Sequence, residues 1–124
     1  MAKIERFEDI LSWQKARELV SAIYKTSNNG FFAKDFGLRE QIRRAAVSIM
    51  LNIAEGFARK SNREFSRFLV ISHGSVAEVQ SALYVAYDQK YINLEQFEEL
   101  YKMAEETSKT IMGFSNYLKK LESS

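Results

Sequence analysis

Residues that interrupt helices are scarce in this chain, and that scarcity limits the folds open to it. The 124 residues include no proline and only five glycines. Because both residue types break regular structure, their rarity favours long helices over many short strands. The length suits one domain, residues 1–124, that buries a core of its own. We therefore expect an all-α protein.

The composition also limits where the chain can act. Cysteine is absent, so the chain can form no disulfide and no thiolate metal site, which fits a reducing compartment. No apolar run approaches the roughly 18 residues of a membrane span. The start MAKIERFED lacks the apolar region of a secretory signal. We expect a cytoplasmic protein without a membrane partner.

Helical periodicity divides the chain into four predicted helices, at residues 8–28, from 38 to 56 or a little beyond, 61–89 and from 93 onward. Ser61 with Glu64, and Asn93 with Gln96, have the spacing of a capping box at the start of the third and fourth helices. Residues 31–37 form a loop whose phenylalanines we expect to fold back over one end. Four helices with short connections predict an antiparallel up-down-up-down four-helix bundle.

The second predicted helix carries three stripes, and the third carries two. The core stripe of the second helix consists of Leu38, Ile42, Ala45, Ile49 and Ile53. A polar stripe on the opposite side consists of Gln41, Arg44, Ser48, Asn52 and Glu55. Three apolar residues beside it are Val47, Leu51 and Ala54. The third helix has a second apolar side made of Val70, Ile71, Gly74, Ala77 and Val85.

A helix in a monomeric bundle needs only one apolar stripe, so the extra apolar sides predict a self-association interface. Gly74 and Ala77 would let neighbouring helices approach closely. The alternative is that these positions are scattered surface residues, which are common on soluble proteins. The polar stripe is open to three interpretations: a solvated face, a hydrogen-bonded network across a subunit contact, or a small-molecule site.

Charge is distributed unevenly along the chain. Residues 39–67 carry seven cationic and three acidic side chains, a net charge of +4, whereas residues 88–106 carry two and six, a net charge of −4. Guanidinium groups suit phosphate because their planar fork donates two hydrogen bonds. The candidate nucleic-acid-binding residues are Arg39, Arg43, Arg59, Lys60, Arg63 and Arg67. The alternative is that Glu40 and Glu64 pair with these cations and form a solvated ionic surface.

Nothing in the sequence has the pattern of a catalytic or metal site. His73 is the only histidine, and no second ligand or nucleophile is placed to act with it. Ser75 follows Gly74, but the Gly-x-Ser-x-Gly elbow of hydrolases is absent. There is also no phosphate-binding loop and no metal-spaced cluster. We expect no catalytic residues, no cofactor and no metal.

The stretch from Gln41 to Gly56, QIRRAAVSIMLNIAEG, resembles the signature of four-helix-bundle proteins encoded in intervening sequences of bacterial 23S ribosomal RNA genes. Further matches to that family are FEDI at residues 7–10, WQKA at 13–16, EF at 64–65, RFL at 67–69, GS at 74–75 and Glu78. The resemblance implies a left-handed antiparallel bundle that forms ring-like homopentamers and has no established enzymatic activity. A related group accompanies the reverse transcriptases of diversity-generating retroelements, and contacts RNA and the enzyme through a basic surface.

Together these observations predict a non-enzymatic homo-oligomer, a pentamer by resemblance, that binds RNA, DNA or a nucleoprotein partner through a basic surface. The alternative is a protein-interaction or scaffolding module in which the arginines serve subunit contacts. Salt-dependent RNA binding would separate the two functions.

Overall fold

A computed structural model describes residues 4–123, and every regular element in that part of the chain is helical. A 3-10 turn at Phe7–Asp9 precedes five α-helices: α1 at Leu11–Ser27, α2 at Gly30–Lys34, α3 at Phe36–Ala58, α4 at Asn62–Asp88 and α5 at Leu94–Ser123. The all-α class is therefore confirmed. The ends of the predicted domain, residues 1–3 and 124, lie outside the described residues.

The four long helices form a closed bundle in which each helix packs against two others. α3 and α4 are antiparallel neighbours, because Ser72 Oγ donates to the Ile49 carbonyl at 2.9 Å while Gly56 lies against Phe65, near the start of α4. α1 lies between α3 and α5, and α4 lies between the same two helices on the other side. α5 is therefore diagonally across the bundle from α3.

α4 and α5 are also antiparallel. Ser66 near the start of α4 is 3.1 Å from Ser115 near the end of α5, measured between the hydroxyl oxygens. At the opposite end, the Tyr84 and Phe97 ring centroids are 4.9 Å apart. Because Ser66 and Ser115 are both buried, their mutual hydrogen bond satisfies two hydroxyls inside the core.

The predicted apolar stripes build the core. In α3 the stripe residues Ile42, Ala45, Ile49 and Ile53 are buried, and Leu38 is partly buried. In α4 the buried residues include Phe65, Leu69, Ser72, Val76, Val79, Leu83 and Ala86. The inner face of α1 is the exception: Tyr24, which its spacing places inward, is 42% exposed, while Leu19 is fully buried.

The predicted caps of α4 and α5 form. Ser61 Oγ accepts a hydrogen bond from the Glu64 amide at 3.3 Å. Asn93 and Gln96 form a reciprocal capping box, in which each side-chain oxygen accepts from the other residue's amide, at 2.8 and 2.9 Å. These bonds satisfy amides that the first turn of a helix leaves without intrahelical partners.

The predicted loop at residues 31–37 is largely helical, because α2 occupies most of it. Gly30 adopts φ +55 and begins α2, so the left-handed residue lies at the start of this short helix. Phe32 folds inward as expected, is 1% exposed, and stacks on Tyr91 with 5.6 Å between ring centroids. The expectation is wrong for Phe31 and Phe36, which are 74% and 64% exposed.

α3 also continues past Gly56 to Ala58, so the corner between α3 and α4 lies at residues 59–61. Gly56 itself is buried. None of the helices in residues 4–123 combines the length and the apolar character that crossing a bilayer requires.

Candidate nucleic-acid interface

The six candidate cations lie in two groups at opposite ends of α3. Arg39 and Arg43 belong to the first turns of α3, beside α2. The second group runs from the α3–α4 corner into the first turns of α4 and consists of Arg59, Lys60, Arg63 and Arg67. We call this second group the basic corner. The helical rise between Arg43 and Arg59 separates the two groups by about 24 Å.

Arg39 is held within the subunit. Its guanidinium donates to the Ala33 carbonyl at 2.9 Å and lies 4.8 Å from the ring centroid of Phe36. It also approaches Glu40 at 3.9 Å, and the side chain is only 24% exposed. Within residues 4–123 its buried Nε has no hydrogen-bond partner. Arg39 therefore braces α2 against α3, which makes it a weaker candidate for a polyanion.

Arg43 binds to groups at the C-terminal end of α1. Its Nε donates to Ser27 Oγ at 2.8 Å, and its Nη2 donates to the Tyr24 carbonyl at 3.4 Å. The guanidinium also lies 4.5 Å from the ring centroid of Tyr24. A cation at the C-terminus of a helix compensates the negative end of its dipole. The structure thus gives Arg43 a role inside the subunit.

The basic corner begins with two cations that lie over aromatic rings. Arg59 is 4.9 Å from the ring centroid of Phe68 and bonds the Glu55 carboxylate at 3.0 Å. Lys60 adopts φ 59 and lies 5.3 Å from the ring centroid of Phe57. Both cations are exposed, so contact with an aromatic ring on one side leaves the other side open to a ligand.

Arg63 and Arg67 are one turn apart and the least constrained cations of the basic corner. Arg67 is 75% exposed and lies 4.0 Å from Glu64, at the limit of an ion pair. Arg63 is exposed and forms no ion pair with another residue in the described part of the chain. An exposed pair at this distance contributes little stability, so a phosphate could displace Glu64 at low cost.

Both arginines line a groove of about 660 Å³ between the start of α4 and the end of α5. Val70 and Ile71 give the groove an apolar part, and α5 adds one cation, Lys119, and one carboxylate, Glu122. Lys119 is not among the cations that the sequence singled out. The signal was available, because an antiparallel α5 must bring its end to the start of α4.

The sequence of the chain matches a known protein family. The sequence profile described as 23S rRNA-intervening sequence protein matches residues 8–113. The chain belongs to this family.

Among solved structures, this chain is similar to a protein of unknown function from the S23 ribosomal protein family of Bacteroides thetaiotaomicron VPI-5482, solved at 1.70 Å resolution. The two are 27% identical, with a TM-score of 0.77, over 85% of this chain and 98% of the other. The comparison with curated proteins found no significant match.

Some residues of the polar stripe form hydrogen bonds within the subunit, and the others are exposed to solvent. Ser48 Oγ is 3.1 Å from Ser75 Oγ, and Asn52 Nδ2 donates to both the carbonyl and the hydroxyl of Ser48 at about 3.0 Å. These bonds lie within the subunit. The remaining residues of the stripe, Gln41, Arg44 and Glu55, are exposed.

The apolar part of the predicted self-association interface lies mostly outside. Leu51 is 62% exposed, Ile71 is 46% exposed and Val70 is 44% exposed. Ala77 is exposed, and a Cβ added at Gly74 would meet no atom within 4 Å. Val47 and Ala54 are partly buried. The outer side of α3 and α4 thus carries apolar surface that the subunit does not cover.

Ser75 and His73, which the sequence singled out as the residues nearest to a catalytic pattern, both lie in α4. Ser75 is buried and bonded to Ser48, and His73 is partly buried on α4. In residues 4–123, no group of three or more histidine or acidic side chains is arranged to hold a metal ion.

Proposed function

We propose that this protein binds RNA or DNA, alone or within a nucleoprotein, through the basic corner and the adjoining α4–α5 groove, without catalysing a reaction. The observation that carries the proposal is the groove itself, in which Arg63, Arg67 and Lys119 converge from two helices. Cations that track a backbone supply most of the affinity of non-specific nucleic-acid binding.

The proposal also includes self-association, to a pentamer by resemblance. A closed ring would repeat the basic corner on every subunit, so a few cations per chain would become a continuous cationic surface. The name of the family refers to an intervening sequence of 23S rRNA, which agrees with an RNA partner and with a cytoplasmic location. The name describes the family and does not state what this chain binds.

The test removes the charge of the basic corner while preserving its backbone. Arg59, Arg63 and Arg67 are replaced by Gln, which removes the charge and keeps a polar side chain of similar helix propensity. Lys60 is replaced by Asn, which tolerates its left-handed backbone. We expect RNA affinity at low salt to fall by about tenfold or more, and the slope of log affinity against log salt to fall by about 3.

A matched control removes the same charge elsewhere. It combines Arg17→Gln, Lys102→Gln and Lys109→Gln with Lys90→Asn, because Lys90 is exposed and has φ 65, like Lys60. We expect this control to bind RNA as the unmodified protein does. Equal losses in both variants would mean that net charge, rather than the basic corner, drives binding. No binding by the unmodified protein at low salt would reject the proposal.

A scaffolding function without nucleic acid is the second candidate, and the exposed Leu51, Val70 and Ile71 favour it. In that function the basic corner would contribute to subunit contacts. The variant that lacks the basic corner separates the two functions, because loss of the oligomer rather than loss of RNA binding would support the scaffold.

A further inference from the structure

The corner between α2 and α3 exposes two aromatic rings, which is unusual for side chains of this size. Phe31 and Phe36 are 74% and 64% exposed, the highest values among the large apolar side chains in residues 4–123. Burying a phenylalanine ring removes roughly 150–250 Å² of apolar surface from water. Two rings left in water at one corner therefore suggest a surface kept free for a ligand.

Each ring has a cation over it. Lys34 Nζ is 5.6 Å from the ring centroid of Phe31, and Arg39 Cζ is 4.8 Å from that of Phe36. A cation on one face of a ring leaves the other face open, which agrees with the high exposure of both rings. We propose that these two ring–cation pairs form a stacking platform for the bases of single-stranded nucleic acid, in which Arg39 holds the Phe36 ring and Lys34 meets the adjacent phosphate.

The platform is held rigidly enough to bind without reordering. Phe32, next to Phe31, is 1% exposed and stacks on Tyr91, which fixes α2. Arg39 donates to the Ala33 carbonyl at 2.9 Å, which joins α2 to the helix that carries Phe36. Rings that are already positioned lose little conformational entropy when a base stacks on them.

The charge of the residues around the platform favours binding of a polyanion over binding of a basic protein surface. Residues 24–43 carry four cations and two carboxylates. One of those carboxylates, Asp35, accepts hydrogen bonds from the Leu38 amide and the Tyr91 hydroxyl. The stretch that contains the platform therefore has a net charge of +2, although the acidic first turns of α5 lie at the same end of the molecule.

The experiment uses a single-stranded RNA of about 12 nucleotides that contains 2-aminopurine, whose fluorescence is quenched by stacking. Three double variants of Phe31 and Phe36 are compared, to Ala, to Leu and to Trp. We expect the Ala and Leu variants to bind about tenfold more weakly per ring and to lose the protein-dependent quenching, because neither offers a flat aromatic face. The Trp variant should retain both.

Leu11→Ala with Leu94→Ala is the matched control, since it truncates two other exposed apolar side chains, which are 57% and 53% exposed. It should bind and quench like the unmodified protein. Leu variants that bind with unchanged affinity would overturn the platform. Unchanged binding accompanied by a fall in solution mass would assign the rings to a contact with a second copy, which also overturns it.

The platform and the proposed function share only the class of ligand, and different experimental results would reject each of them. If the variant that lacks the basic corner quenches 2-aminopurine with the affinity of the unmodified protein, the platform stands and the proposed role of the basic corner is wrong. If only the basic-corner variant loses binding, the proposed function stands and the platform is rejected. If the unmodified protein binds no RNA at low salt, both are rejected.

Discussion

Gly56 sets how closely α3 and α4 approach each other. A Cβ at this position would lie 2.7 Å from Phe68 Cβ and 2.9 Å from Phe65 Cδ1. Carbon atoms do not pack this closely, so the helices would have to separate or the rings repack. We expect Gly56→Ala to lower the free energy of unfolding by about 1–3 kcal/mol, despite the higher helix propensity of alanine. Circular dichroism should record a fall in Tm of about 3–10 °C.

Gly113→Ala is the control for this substitution, because Gly113 lies in α5, is exposed, and has no atom within 4 Å of an added Cβ. Its Tm should stay the same or rise slightly, since alanine favours helix by about 1 kcal/mol over glycine. A Gly56→Ala protein as stable as the Gly113→Ala protein would contradict the close approach.

The roles of single arginines could not be predicted from the sequence. The composition of residues 39–67 identifies a basic stretch, but it cannot separate Arg43 from Arg63. Arg43 bonds Ser27 and Tyr24, which precede it by 16 and 19 residues, so its role depends on how α1 packs beside α3. Arg63 forms no ion pair or hydrogen bond of this kind within residues 4–123 and stays exposed. The candidate site was therefore predictable as a group of cations but not as a ranking among them.

At the scale of elements, one carboxylate joins the start of α3 to the loop between α4 and α5. Asp35 Oδ1 caps α3 by accepting from the Leu38 amide at 3.1 Å, and Oδ2 accepts from the Tyr91 hydroxyl at 2.9 Å. The hydrogen bond to Asp35 is the main cause that raises the pKa of Tyr91, and burial and the Asp35 charge act in the same direction. The folded state therefore favours the protonated phenol.

This shift predicts a loss of stability at alkaline pH. A raised pKa in the folded state means that the stabilisation is fully present below the unfolded value of 10.0 and is lost as pH rises through the folded value. We expect Tyr91→Phe to be less stable than the unmodified protein at neutral pH, with the difference shrinking above about pH 10. Urea unfolding at a series of pH values measures it.

Asp35→Ser provides the second arm of a double-mutant cycle. Serine still caps α3, but its side chain is too short to replace the contact with Tyr91. In that background Tyr91→Phe should have a smaller effect, and its effect should vary less across the alkaline range, because only burial still raises the pKa of Tyr91. A Tyr91→Phe effect of the same size in both backgrounds would show that the two side chains are not coupled.

The elements that the sequence predicted well are those that local patterning determines. The core stripe of α3 and the caps at Ser61 and Asn93 follow from helical spacing and from side-chain chemistry within four residues. α2 was missed because its five residues are stabilised by tertiary contacts, chiefly Phe32 on Tyr91. A helix that short has almost no intrinsic stability in water, so propensity alone does not reveal it.

At the scale of the whole molecule, charge is separated along α5, the longest helix of the bundle. α5 begins beside the acidic residues Glu95, Glu98 and Glu99 and ends at Lys119 and Lys120, about 30 Å away. The antiparallel packing brings those lysines to the end where α4 starts, near Arg63 and Arg67. A polyanion that lies along α5 therefore meets one cationic end and one acidic end of this helix, which favours a single orientation along it.

The exposed apolar surface on the outer side of α3 and α4 predicts association between copies of the chain. Leu51 is 62% exposed and lies on the outer side of the α3–α4 pair, to which Val70 and Ile71 add exposed apolar surface. We expect the unmodified protein to be an oligomer at micromolar concentration, as measured by light scattering. Leu51→Lys should weaken association by about a hundredfold, because a buried unpaired ammonium costs several kcal/mol at each contact. Its helical content should not change, since the side chain faces outward in the single chain.

Leu94→Lys, at a position 53% exposed at the start of α5, is the matched control and should keep the solution mass of the unmodified protein. A monomeric unmodified protein would remove the basis for self-association, and equal dissociation of both variants would place the contact elsewhere.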